Sequence, residues 1–313
     1  MKKEKICVAG VGAVGTILAS LLGRKYPERL SLVARGGRAA SMKEEGIRLH
    51  SQFYGEVIGH AARIEADPAL LGVQDIIFLC VKNYSLGQMM ESLRPAVGPE
   101  TVLVPVMNGI EAGDILRAAF PGNPVCDGVI YTTTGSNPDY SATQTGPYTY
   151  LFIGSKSPDA EAQAAADGVY ELLKEAGLDA RRAEDIELEI WQKYILNCAY
   201  NTITARHLAC TKDLRARADL QEDLKGLLTE AYHVAEREGV KIPADIAEQK
   251  FTFIMTGQSP DATSSMKRDV EAKRPIENDA FAGAILRKSH QYGLAAPVTE
   301  RYYRELEEIT AAY

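Results

Sequence analysis

The chain has 313 residues, 46% hydrophobic and 25% charged, with a formal net charge of −7 at pH 7. This is a globular composition, long enough for two domains, and its acidic balance argues against nucleic-acid binding, which asks for a basic face. Five scattered cysteines (Cys7, Cys80, Cys126, Cys198, Cys210), odd in number and never in C-x-x-C spacing, argue against a disulfide framework or a zinc site and fit a reducing, cytoplasmic compartment.

The uncharged run from Ile6 to Gly23 behind a basic start imitates a signal peptide or membrane span. Four glycines punctuate it, three of them in a spacing with its own mechanical explanation, and no other apolar run approaches spanning length. Neither export nor membrane insertion is expected.

In chain order, apolar strands are expected at 6–9, 30–34, 75–81, 101–106, 125–131 and 148–153, with helices at 13–22 and 85–93 between them. Buried strands alternating with helices indicate a doubly wound, mostly parallel α/β sheet of Rossmann type. A helix is expected at 160–177. From 185 onward only helical patterns appear, at about 185–205, 213–238, 244–256, 263–273, 278–291 and 297–311, punctuated by Gly239, Gly293, Pro243, Pro275 and Pro297. The expected domains are 1–183, dinucleotide-binding, and 184–313, all-helical.

Gly10-Val11-Gly12-Ala13-Val14-Gly15 follows a strand and opens a helix. The first glycine permits a tight turn, the second lets backbone approach a pyrophosphate, and the third packs helix on sheet. The N–H groups around Ala13 and Val14 then face the phosphates. At the end of the second strand stands Ala34-Arg35-Gly36-Gly37-Arg38, without the carboxylate that holds an NAD ribose. A guanidinium there favours the 2′-phosphate of NADP, although Arg35 also reads as a surface cation in a turn. Lys82 and Asn108-Gly109 follow two further strands, at the sheet end where open α/β sheets bind ligands. Asn108-Gly109 reads equally as a turn.

The segment from Ile190 to Asn201 is a helix that is apolar almost all round, so it belongs in an interior. Yet Lys193, Asn197 and Asn201 recur every four residues and line one stripe. Unsatisfied buried polar groups cost about 1–3 kcal/mol, so other side chains or a polar ligand must face them. Ser264-Ser265-Met266 opens a later helix, as an N-cap or as a carboxylate site. Glu277, near the next helix start, either answers the helix dipole or pairs with Lys193. Lys267-Arg268 and Arg287-Lys288 read as solvated surface.

These motifs together resemble the ketopantoate reductase (2-dehydropantoate 2-reductase) family along nearly the whole chain. The resemblance rests on the glycine motif with Arg35, Val81-Lys82, Asn108-Gly109, the block Glu189-Ile190-Trp191-Gln192-Lys193 running to Asn197 and Asn201, Ser264-Ser265-Met266, and Glu277-Asn278-Asp279 leading to Gly283. It implies NADPH-dependent reduction of 2-dehydropantoate to pantoate for coenzyme A biosynthesis, with the helical domain closing over a small 2-oxo acid. It implies that Lys193 protonates the developing alkoxide and that Glu277 contacts substrate and lysine. Asn108, Asn197 and Asn201 orient substrate and cofactor, Ser265 binds the substrate carboxylate, and Arg35 and Lys82 hold the cofactor phosphates. Ala262 and Met107 depart from the family pattern, and the 132–148 segment lacks the usual histidine-bearing strand pattern. The alternatives are a related NADPH-dependent reductase of another small 2-oxo acid and a non-catalytic NADP-binding sensor. A homodimer is compatible with an exposed helical face.

Overall fold

The computed structural model describes residues 4–313. The chain divides into two compact units, one comprising residues up to Met107 together with Ala112–Ile186, the other Asn108–Glu111 with Glu187–Tyr313.

The strands of the first unit are β1 (Ile6–Ala9), β2 (Leu30–Val33), β3 (Ile47–Ser51), β4 (Gly55–Gly59), β5 (Arg63–Glu65), β6 (Gln74–Leu79), β7 (Val97–Pro105), β8 (Asp127–Ser136), β9 (Ala142–Gly154) and β10 (Ala180–Arg182). Its helices are α1 (Ala13–Lys25), α2 (Gly36–Glu45), α3 (Leu86–Leu93), α4 (Ala112–Ala119) and α5 (Ala160–Glu175). A five-stranded sheet runs β5-β2-β1-β6-β7 with every pairing parallel. Both faces of this sheet are buried, which is why its strands read as continuous apolar runs. Along β1, Ile6 and Val8 enter one core with Ile17, Leu21 and Leu22 of α1. Cys7 and Ala9 enter the other with Leu86 and Met90 of α3 and Leu116 of α4.

Beyond a single parallel bridge from Val125 to Leu103 of β7, the expected strands near 125–131 and 148–153 do not extend that sheet. They form the antiparallel pair β8 and β9, part of a second, mixed sheet ordered β10-β9-β3-β4. Strand composition does not distinguish the two sheets. The turn at 137–141, closed by the Asn137 side chain on Ser141 and Thr143, makes the hairpin. Helix α1 packs against strands of both sheets.

The second unit is entirely helical: α6 (Ile186–His207, whose first residue belongs to the first unit), α7 (Thr211–Ala216), α8 (Ala218–Arg237), α9 (Ile246–Thr252), α10 (Ser265–Glu271), α11 (Ala284–Tyr292) and α12 (Pro297–Thr310). Two π-helical stretches, Phe253–Gly257 and Asp279–Gly283, continue α9 and precede α11. Acidic Glu187 and Glu189 at the start of α6 and basic Arg206 and His207 at its end answer the helix dipole. Gly293, left-handed, ends α11, and Pro297 begins α12. Trp191 and Ile195 of α6, Leu224 and Leu228 of α8, and Phe281 are fully or almost fully buried.

Helix α4 is tied to β8 by Arg117, whose guanidinium pairs with Asp127. Asp127 is only 3% exposed, and burial raises its carboxyl above the ordinary value against the opposing charge of Arg117. Arg117→Met strands that carboxylate and is expected to cost about 3–5 kcal/mol at neutral pH. Since the folded-state value lies above the unfolded one, acidification protonates Asp127 in the folded protein first, and the loss shrinks. Urea titrations of both proteins at pH 7 and at mildly acidic pH measure this; a penalty independent of pH refutes it.

Candidate functional site

In the first unit, β1 occupies the point where the strand order reverses, with β2 and β5 to one side and β6 and β7 to the other. Open parallel sheets bind ligands at that point, beyond the strand ends. The glycine turn lies there, between β1 and α1. Gly10 has φ +91°, and a Cβ on Gly15 collides with the Gly10 carbonyl oxygen. A Cβ on Gly12 meets no atom within 4 Å, so this backbone is open to close approach. Gly12 is the N-cap of α1, without a side-chain cap or an acidic residue in the first turn. The N–H groups of Ala13, Val14 and Gly15 are therefore available to an anion. The combination fits a dinucleotide pyrophosphate.

Arg35 lies exposed at the end of β2, as the N-cap of α2. The structure adds Arg38, in the first turn of α2, which nothing in its sequence position set apart. Its guanidinium sits 5.4 Å from the ring centre of Tyr140, and its Nη1 is buried without a hydrogen-bond partner. Tyr140 comes from the β8–β9 turn, at φ +65°, and its hydroxyl and ring fill the space a side chain on Gly37 would take. Two guanidinium groups on one short stretch suit a phosphate monoester. Lys82, half-buried, follows β6 as the N-cap of a short 3-10 turn.

In the second unit, Lys193 and Asn201 of the polar stripe of α6 meet different partners. The Lys193 ammonium donates to Asn108 Oδ1 at 2.9 Å. Asn108 belongs to the short segment that joins this unit, and Gly109 beside it has φ +97°. Burial pulls the Lys193 amine down to about 8, opposed by the negative charge of Glu277. Glu277 is itself only 5% exposed. The sequence offered Glu277 as a partner of the lysine; its charge does act on the amine, and Asn108 adds a hydrogen bond.

Asn201 is bonded to the start of α10 and to its own helix. Its Oδ1 accepts from Met266 N–H at 3.2 Å and from Ser265 Oγ at 3.3 Å, and its Nδ2 donates to the Asn197 carbonyl at 2.9 Å. Its amide thus anchors the start of α10 to α6. Of the two serines there, Ser264 is the N-cap, accepting from Lys267 N–H at 3.0 Å and bonded to Thr204 Oγ1 at 2.8 Å. Ser265, half-buried, is the one aligned by Asn201. Asn197 is half-buried one turn from Lys193. Ala262 serves through its backbone, its carbonyl accepting from Tyr200 Oη at 2.7 Å and Thr211 N–H at 3.1 Å.

The next residue of α6, Tyr194, donates to the Phe281 carbonyl at 2.6 Å, within the π-helical stretch just after Glu277. A π-helical turn disturbs the regular carbonyl pairing, and this hydroxyl supplies a donor to it. Lys193 and the Glu277 turn are thereby held in one frame. Among the described residues, no group of three or more His, Cys, Asp or Glu side chains is placed to hold a metal ion, and no helix is long and apolar enough to cross a membrane.

Residues 6–158 match the family described as ketopantoate reductase PanE/ApbA, and residues 185–310 match ketopantoate reductase PanE/ApbA C terminal. The chain is 28% identical over 305 residues to the uncharacterized oxidoreductase YkpB of Bacillus subtilis strain 168, covering 97% of this chain and 98% of that one. The crystal structure of 2-dehydropantoate 2-reductase from Methylococcus capsulatus is similar with a TM-score of 0.85 at 26% identity, over 98% of this chain and 97% of that one. The ternary structure of D-mandelate dehydrogenase with NADH and anilino(oxo)acetate shares the fold, with a TM-score of 0.86 at 21% identity over 98% and 99% of the two chains.

The environment of Lys193 is open to direct measurement. Labelling with an amine-reactive reagent, followed residue by residue by mass spectrometry against pH, is expected to titrate Lys193 near 8. Glu277→Gln removes the charge that holds the proton on, so the midpoint moves down. A midpoint in the ordinary lysine range, or one indifferent to Glu277, contradicts the description.

Proposed function

Because this chain belongs to the ketopantoate reductase family, we propose that it is an NADPH-dependent reductase of a small 2-oxo acid, with 2-dehydropantoate, reduced to pantoate on the way to coenzyme A, as the first candidate substrate. The observation that carries the reading is the Lys193 ammonium, bonded to Asn108 at 2.9 Å, under the field of Glu277, with its proton held at about 8. A group poised near neutrality is suited to donate a proton in the transition state.

NADPH, when bound, would supply the hydride that reduces the ketone carbon. As the carbonyl double bond opens, negative charge gathers on its oxygen, where the Lys193 ammonium stabilises it and then delivers a proton to give the alcohol. Asn108 fixes the direction of the amine, and Glu277 keeps it charged. Ser265, aligned by Asn201, is assigned to the substrate carboxylate. Gly10, Gly12, Ala13, Val14 and Gly15 are assigned to the pyrophosphate and Lys82 to the phosphate side of the cofactor. Arg35 with Arg38 is assigned to the 2′-phosphate, which supports NADPH over NADH. The five free thiols favour a reducing compartment, in keeping with a cytoplasmic enzyme.

A second reading, reduction of a different 2-oxo acid, is favoured by Ala262. It puts a methyl group where the family resemblance implies an amide, and the fold is shared with D-mandelate dehydrogenase. NADPH consumption with 2-dehydropantoate and a panel of branched and aromatic 2-oxo acids separates the two readings; no consumption with any of them sinks both.

Lys193→Ala is expected to lower kcat by at least about 100-fold while NADPH still binds. The wild-type rate of reduction falls as pH rises through about 8, because the amine loses the proton it must donate. Near-normal turnover in the variant, or a rate that keeps rising through pH 9, refutes the role. Arg35→Ala and Arg38→Ala are each expected to raise KM for NADPH about tenfold, or about 1.4 kcal/mol, and leave that for NADH almost unchanged. Equal losses with both cofactors deny the 2′-phosphate assignment.

A further inference from the structure

Arg287, on α11, reads in sequence as solvated surface, yet its guanidinium bonds to two separate segments of the helical unit. It forks onto Glu111, with Nη2 to Oε2 at 2.7 Å and Nε to Oε1 at 3.3 Å. It also reaches Asp279, with Nη1 to Oδ1 at 2.6 Å and Nη2 to the Asp279 carbonyl at 3.2 Å. Glu111 lies three residues after Asn108, and Asp279 lies two after Glu277. One cation thus holds the two short segments that present the two partners of Lys193.

The position between its anchor points is glycine. A Cβ on Gly283 lies 2.7 Å from Asp279 Oδ1, 3.2 Å from Tyr303 Cε2 and 3.3 Å from Arg287 Nη1. The ion pair therefore forms across backbone that any side chain obstructs. Asp279, Gly283 and Arg287 follow one another at steps of four along the π-helical stretch and α11, which keeps them on one stripe. The pairing is not a strong source of stability. The side chains of Arg287 and Asp279 are 46% and 71% exposed, and ion pairs of that kind contribute roughly 0–1 kcal/mol. What the fork supplies is geometry: a planar guanidinium with two parallel bonds fixes an angle as well as a distance.

We infer that Arg287 is a positioning residue for the reduction, a staple that fixes the Asn108 segment to the Glu277 turn and so sets the hydrogen bond on the Lys193 ammonium. In its kinetic readout the inference rests on the reductase reading; a second readout needs no turnover.

The test uses full-length Arg287→Met. kcat is expected to fall about tenfold, with KM for NADPH within about twofold and a thermal midpoint within roughly 2 °C of wild type. Gly283→Ala, which crowds the pair, reproduces the loss of kcat, and Arg287→Lys, which keeps charge but not the fork, recovers only part of it. Because Arg287 acts through Asn108, the double variant with Asn108→Ala is no more than about twofold slower than Asn108→Ala alone. Losses that multiply, or wild-type turnover in Arg287→Met, overturn the inference.

The readout without turnover is Lys193 labelling. Removing Arg287 leaves Glu111 and Asp279 uncompensated, and their charge alone raises the lysine midpoint. Loss of the Asn108 acceptor lowers it. The expected result is a fall, seen as about a threefold faster reaction of Lys193 at pH 7. A rise or no change rejects the staple. If the wild type reduces no 2-oxo acid, the reductase reading fails, and the labelling result still decides the role of Arg287.

Discussion

The organising constraint of the helical unit is a lysine amine on a helix with almost no polar flank. Helix α6 earns its place in the interior through Trp191, Tyr194, Ile195 and Cys198. Lys193 interrupts that surface, and burial works against its charge. The surrounding structure answers with a carboxamide acceptor from a distant part of the chain and a carboxylate from the turn before α11. Burial outweighs the opposing charge of Glu277, and the result, about 8, lies where proton donation and retention are both available near neutrality. Tyr194, Asn201 and Ser264 are explained by the same demand. Each ties one neighbouring segment to α6 by a hydrogen bond, so the segments facing the stripe are themselves fixed.

The first unit solves a different problem, how to bring backbone close to an anion. A parallel sheet with both faces covered has its only accessible backbone at the strand ends. At the central end, steric exclusion does the work: Gly15 must be glycine for α1 to start so near β1, and Gly12 must be small for the helix N-terminus to stay open. The acidic protein thereby offers a local positive potential without a cationic surface, supplemented at the end of β2 by Arg35 and Arg38.

The sequence carried the parallel sheet, the helical second half and the outline of the polar stripe, because each is written in local periodicity or in glycine spacing. It did not carry β3, β4, β5 and β10. In β4 only Val57 and Gly59 are buried, so its pattern is too sparse to stand out from a loop. Helix α2 opens with Gly36-Gly37, which reads as a turn; the second glycine is there because Tyr140 packs against it. The pairing of Asn201 with the start of α10 was equally hidden, since 64 residues separate it from Ser265. The residues alone raised a pairing of Glu277 with Lys193, and only the family resemblance brought in Asn108; the tertiary structure adds the hydrogen bond from the amine to Asn108 and gives Asn201 its anchoring contacts.

The short segment Asn108–Glu111 has a consequence for how this chain can be divided. It leaves the first unit after Met107, supplies four residues to the second, and returns at Ala112. The helical unit is therefore not a contiguous stretch of gene. A fragment beginning after Ile186 lacks the acceptor for Lys193 and the forked partner of Arg287. Recombination that exchanges helical halves between such proteins must carry these four residues along or replace them, so two distant parts of the coding sequence are bound to vary together.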